Sequence, residues 1–157
     1  MLKAKCTHGA LVIVRNSDDE YLLVRQRLRE RNRWSFPGGF LNPAEEPIHG
    51  AVRELREETG LELAAHDLEV VAQYRQPWLR FFGHFDHVFV ALIEKQDLPS
   101  KRSVEIRACD WFAADDLPEL TASTQEALRR LQNKDAAAAP SRHDRGARRL
   151  ASEGSSG

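Results

Sequence analysis

Glu54, Glu57 and Glu58 stand three and four residues apart, the spacing that stacks side chains on one face of a helix. Like charges so placed repel, by roughly 0.2–0.5 kcal/mol per pair in an isolated helix. Clustered carboxylate oxygens are also what a hard divalent cation needs. Mg2+ takes a few carboxylates and leaves its other positions to water and substrate phosphates. Arg53 lies one residue before Glu54 and four before Glu57, where it can pair with a carboxylate and hold its rotamer. Upstream, Pro37-Gly38-Gly39 leads into a loop, and a glycine backbone can approach a metal or a phosphate closely. Without the glycines, three glutamates and two arginines within six residues read as a solvated charged face. With them, the residue types suit metal-assisted chemistry on phosphate.

These residues need elements to position them. Pro47 suits the first position of a helix and Gly60 the residue just past its end, so the spacing predicts a helix over Pro47–Thr59. Val52, Leu55 and Thr59 turn to the opposite face and pack inward. Ala10–Val14 is a short apolar, β-branched run and reads as a strand. A turn at Ser17–Glu20 leads to a second strand at Tyr21–Val24, which makes a hairpin. Arg25–Arg33 is polar and reads as a loop. Further strands are expected at Leu68–Tyr74, His84–Glu94 and Ala108–Phe112, with a closing helix at Thr124–Gln132. Strands on both sides of one central helix, plus a terminal helix, predict an α/β layered domain with a mixed sheet.

From Gly39 through Glu45, Arg53, Glu54, Leu55, Glu57, Glu58 and Gly60 to Leu61, the chain resembles the Nudix box without a departure. Seven fixed residue types would coincide by chance at a given start about once in 10⁸, so the pattern is specific. A looser likeness to MutT-like Nudix hydrolases runs over residues 8–132. The resemblance implies an α/β/α sandwich with a mixed sheet. It implies a hydrolase acting on phosphorus-containing acid anhydrides, by attack of a metal-activated water on phosphorus. Glu54, Glu57 and Glu58 are the implied Mg2+ ligands (Mn2+ as a substitute), helped by a backbone carbonyl of Gly38 or Gly39. Arg53 is the implied orienting arginine. Glu45 is the box's first glutamate, more often structural than a primary ligand. Glu54 and Glu105 are the two candidates for the general base.

Composition sets bounds around this reading. The chain has 157 residues, 41% hydrophobic and 30% charged, with net charge −1. That is one domain's worth of chain, with no overall bias toward nucleic acid or anionic membrane. Two isolated cysteines make neither a disulfide framework nor a zinc site. No apolar run reaches the ~18 residues a bilayer span requires. No secretory signal is evident, so cytoplasm is the expected compartment. The Nudix domain is expected over residues 1–133. Residues 134–157, rich in Ala, Arg, Ser and Gly, are expected to be a disordered tail.

The substrate is less determined. Arg25 and Arg27 leave the second strand toward the box and are candidates to grip phosphate, while Trp78 and Phe82, in an aromatic loop, could stack on a base. The expected partner is a small nucleotide, with a monomer or homodimer as the enzyme. A nucleoside triphosphate or its oxidised form leads, with release of a nucleoside monophosphate. ADP-ribose, a nucleotide sugar or NADH is the alternative within the class. An RNA 5′-end pyrophosphohydrolase and a non-catalytic nucleotide-binding module are the readings from other classes.

Overall fold

The computed structural model describes residues 6–28, 32–76, 83–99 and 103–139. β1 (Thr7–Asn16) and β2 (Glu20–Gln26) form the expected antiparallel hairpin. Asn16 closes the turn, its side-chain oxygen accepting the N–H groups of Asp18 and Glu20. β3 (Gly38–Phe40) follows, then α1 (Pro47–Thr59) and a single 3₁₀ turn. β4 (Glu69–Arg75), β5 (His84–Ile93), β6 (Ile106–Ala113) and α2 (Ala122–Ala138) complete the order.

The six strands form one mixed sheet, five of them in the order β4-β5-β1-β2-β6 and β3 paired with β1 off that path. β1 is the hub. One edge runs parallel to β5 over its whole length, from Thr7 against His84 to Asn16 against Ile93. Its other edge is shared: Arg15 pairs with Tyr21 of β2, while Gly9, Ala10 and Leu11 pair with Phe40, Gly39 and Gly38 of β3. β2 therefore departs from β1 and β3 takes its place. A sheet with both faces covered needs strands that are apolar throughout, as Ala10–Val14 is. Ala10, Val12 and Val14 join Leu22, Val24, Phe89 and α1's Ala51 and Leu55 in one core. Leu11 and Ile13 join Tyr21, Leu23, Val88 and α2's Ala127 and Leu131 in the other. The result is the expected α/β/α layering.

α1 occupies the predicted span. Pro47 opens it, and Gly60 ends it at φ 77 with its N–H on the carbonyl of Arg56. Leu55 and Thr59 are fully buried and Val52 is partly buried. Three expectations are corrected. Arg25 and Gln26 belong to β2 rather than to a loop. Gly38–Phe40 is a strand, because it lies against the free half of β1's edge. α2 runs from Ala122 to Ala138, beyond both ends of the expected Thr124–Gln132. Alanine is the best helix former, and Lys134 fastens this stretch to β4 through the carbonyl of Val70, 2.8 Å away. Residues 140–157 lie outside the described residues. No helix among the described residues is long and apolar enough to cross a membrane.

The start of α2 is tied to the segment that leads into β3. The Thr121 hydroxyl caps the helix by accepting the N–H of Thr124. The Thr124 hydroxyl accepts the backbone N–H of Phe36 at 3.0 Å, and both Thr124 and Phe36 are buried. Thr124→Val keeps the shape and deletes that acceptor. A buried donor left unsatisfied costs about 1–3 kcal/mol. Urea denaturation of Thr124→Val is expected to show a loss in that range with an unchanged slope.

Candidate active site

Arg53 organises the beginning of the site. Its Nε and Nη2 donate to the two carboxylate oxygens of Glu45 at 2.8 and 2.9 Å, a bidentate clamp. Nη2 also reaches the carbonyl of Phe40. Nη1 donates to Glu54 Oε1 at 2.8 Å and to Glu57 Oε2 at 3.4 Å. One guanidinium thus fastens the loop after β3 to α1 and gathers two further carboxylates. The Arg53 hydrogen bonds, with the backbone N–H of Asn42, hold the Glu45 carboxyl down to about 2. The same contact with Glu45 raises Arg53 above its ordinary value. Glu45 is therefore a permanent anion committed to this clamp.

Glu58 is held differently. It is buried, and its Oε2 accepts the backbone N–H of Gly38 while Oε1 accepts the Gln26 side-chain amide, both at 2.8 Å. Glu54 lies over Gly39. A Cβ on Gly39 would sit 2.7 Å from Glu54 Oε1, and one on Gly38 would sit 2.1 Å from the carbonyl oxygen of Ala10. Gly38 admits no side chain, because the backbone of β1 approaches too closely, and a side chain at Gly39 would push the Glu54 carboxylate aside. Burial pushes the Glu54 carboxyl above the usual carboxylate range. Arg53 pulls it down, and the charges of Glu57 and Glu45 push it up again. Glu57 is exposed on the same turn of the helix as Glu58.

Beside this cluster opens a cavity of about 290 Å³, lined among others by Gly9, Gln26, Ser35, Gly38, Gly39 and Asp86. Gly38 and Gly39 thus border the cavity and bond or pack against the helix carboxylates. Glu105 is exposed in the turn just before β6. The segment carrying it is anchored near the end of α1, where the Ser103 N–H donates to the carbonyl of Glu57. Arg27 is exposed, and its N–H donates to the carbonyl of Glu105. Arg25 turns away from the box, its guanidinium carbon 5.3 Å from the centre of the Trp34 ring. Trp78 and Phe82 lie outside the described residues.

Sequence reasoning missed Gln26. The signal was present: along β2, Leu22 and Val24 face α1, and alternation carries that face to Gln26 and not to Arg25. Asp86 was missed as well, and Gln76 and His84 were given no site role, although all three are buried polar residues that line the cavity. They come from two strands well downstream of the box.

Among the described residues, no three His, Cys, Asp or Glu side chains converge closely enough as they stand to hold a metal ion. The donor set nevertheless fits a hard cation. It is all oxygen, it is crowded, and its half-buried member Glu54 has only part of one guanidinium to offset two acidic neighbours, Glu57 and Glu45. Exposed Glu57 has room to turn.

The NUDIX domain family profile matches residues 7–131. Nudix hydrolase 2 of Arabidopsis thaliana is 33% identical over 119 residues, covering 71% of this chain and 41% of that protein. A putative 8-oxo-dGTP diphosphatase of Bacillus subtilis is 43% identical over 58 residues, 37% of this chain and 38% of that one. The chain thus matches less than half the length of either relative. A MutT protein from Methanosarcina mazei superimposes with a TM-score of 0.69 at 24% identity, covering 86% of this chain and 99% of the other, which supports the fold. With the profile spanning all six strands, α1 and the first part of α2, and Glu54 and Glu58 of the box collected at the paired glycines of β3, the chain belongs to the NUDIX domain family.

Proposed function

We propose that the protein is a Mg2+-dependent pyrophosphohydrolase of nucleoside triphosphates or their oxidised forms, with Glu54, Glu57 and Glu58 as the metal-holding residues. One observation carries the reading: Glu54 and Glu58 are fixed at Gly39 and Gly38, and these same glycines line the cavity. A phosphate chain entering the cavity therefore arrives at the carboxylates. The oxidised-nucleotide preference draws on the name of the Bacillus subtilis relative, 8-oxo-dGTP diphosphatase.

When bound, Mg2+ acidifies a coordinated water and neutralises charge on phosphate oxygens. The chain's own residues do the rest. Arg53 keeps Glu45 ionised and orients Glu54. Gln26 and the Gly38 N–H fix the Glu58 rotamer. A carboxylate takes the proton of the attacking water. Glu54 and the exposed Glu105 are the two candidate bases. The water oxygen joins phosphorus as one phosphoanhydride P–O bond breaks, and a nucleoside monophosphate and pyrophosphate leave.

Glu57→Gln or Glu58→Gln is expected to lower kcat by about 10²-fold or more while circular dichroism stays native. Near-normal turnover would defeat the metal-holding assignment. Gln26→Ala removes a positioning bond rather than a ligand, and such partners typically control metal affinity or activity by about 10- to 100-fold. The half-saturating Mg2+ concentration for Gln26→Ala is expected to rise about tenfold, and Gln26→Glu should not restore it, since a second carboxylate facing Glu58 repels.

A further inference from the structure

Gln76, His84 and Asp86 form a hydrogen-bonded group in the wall of the cavity, with the His84 ring against Phe40. All three are more than nine-tenths buried. The Gln76 side-chain amide donates to Asp86 Oδ2. His84 Nε2 lies 3.1 Å from Oδ1, and its Nδ1 lies 2.8 Å from the Thr7 hydroxyl. With the proton on Nε2, Thr7 donates to Nδ1 and His84 donates to the carboxylate. The Gln76 backbone N–H on the His84 carbonyl, at 2.9 Å, locks the two strand ends together. Asp86 is thus aimed and restrained, and its hydrogen bonds among the described residues come from an amide and an imidazole rather than from Lys or Arg.

Gly9 keeps the space in front of this carboxylate open. It sits opposite Asp86 in the β1–β5 register. A Cβ there would lie 2.9 Å from Asp86 Oδ1 and 3.2 Å from His84 Nε2. Each carboxylate oxygen has two lone pairs and one bond from the protein, so both oxygens retain an accepting site toward the cavity. A buried acceptor pair of this kind is satisfied by two adjacent N–H donors.

We propose that Asp86 reads the base of the substrate and selects a guanine-type edge. This inference rests on the cavity being the nucleoside end of the proposed substrate site. Guanine carries N1–H and its exocyclic amine side by side, a two-donor edge that matches a carboxylate. The amine of adenine is flanked by the acceptor N1, and that of cytosine by the acceptor N3, so either base turns a lone pair toward the carboxylate. Uracil and thymine have one N–H between two carbonyls. Each mismatched edge leaves the carboxylate short of a donor or facing an acceptor, and a site built to bond a given group rejects analogues that lack it.

Binding of nucleoside monophosphates tests this without requiring turnover. Dissociation constants of GMP, IMP and AMP are measured by calorimetry on the full chain and on Asp86→Asn. IMP keeps N1–H and lacks the exocyclic amine. Wild-type protein is expected to bind GMP roughly tenfold more tightly than IMP and roughly 10- to 100-fold more tightly than AMP, the range for one or two hydrogen bonds to a charged acceptor. In Asp86→Asn the three constants are expected to converge to within about threefold, mainly through loss of GMP affinity. A purely structural Asp86 would weaken all three ligands alike. No GMP preference in wild type, or an unchanged preference in Asp86→Asn, overturns the proposal. If Asp86→Asn does not fold, the wild-type series with Gly9→Ala, which crowds the same carboxylate, decides the matter. Hydrolysis without base preference would sink this inference and leave the proposed function standing. Base preference without hydrolysis would do the reverse.

Discussion

The carboxylate of Glu58 joins three elements that are distant in sequence. It takes the N–H of Gly38 from β3 and the amide of Gln26 from β2 while rooted in α1. Hydrogen bonds to an ionised acceptor are the strong ones, and in a buried setting they are also the costliest to break. The geometry follows from the split edge of β1. Because β2 leaves β1 and β3 takes its place, an N–H of β3 and the side chain of Gln26 converge below the helix. The same split gives the cavity its walls, since Gln26, Gly38 and Gly39 all line it.

Around that bond the charges divide by role. Glu45 is consumed by Arg53 and works as a fastening between the loop and the helix. Glu58 is oriented by the Gly38 N–H and the Gln26 amide. Glu54 is half-buried with its charge incompletely offset, and Glu57 is exposed. A hard cation would relieve the crowding at Glu54 and Glu57, and a phosphate chain would bring further negative charge to be held there. The repulsion that makes the helix unfavourable by itself is thus the property a metal site uses. The Asp86 wall of the cavity follows another logic, with an amide and an imidazole aiming a single carboxylate.

Legibility in the sequence followed the range of the forces involved. α1 was readable to the residue, because Pro47, Gly60 and the inward Leu55 and Thr59 are local signals. The buried strand of β1 was readable from its unbroken apolar run. β3 was not, because Gly-Gly-Phe has no strand propensity and pairs only because half of β1's edge is open. The far end of α2 was not, because an alanine run looks like tail until Lys134 is seen on β4. Arg25 drew attention by its charge, while strand parity gave the contact to Gln26. Gly9, Gln76, His84 and Asp86 come together only through β1–β5 and β4–β5 pairing, which no local pattern encodes.

The central claim is that the box carboxylates hold a divalent cation because the glycine strand lets them close in. Gly39→Ala tests it most directly, since the new Cβ would fall 2.7 Å from Glu54 Oε1. Mn2+ binding to the full chain, followed by electron paramagnetic resonance, reads the site without any substrate. The account predicts affinity at least about tenfold weaker in Gly39→Ala, with circular dichroism unchanged. Equal Mn2+ affinity in a folded Gly39→Ala would contradict it.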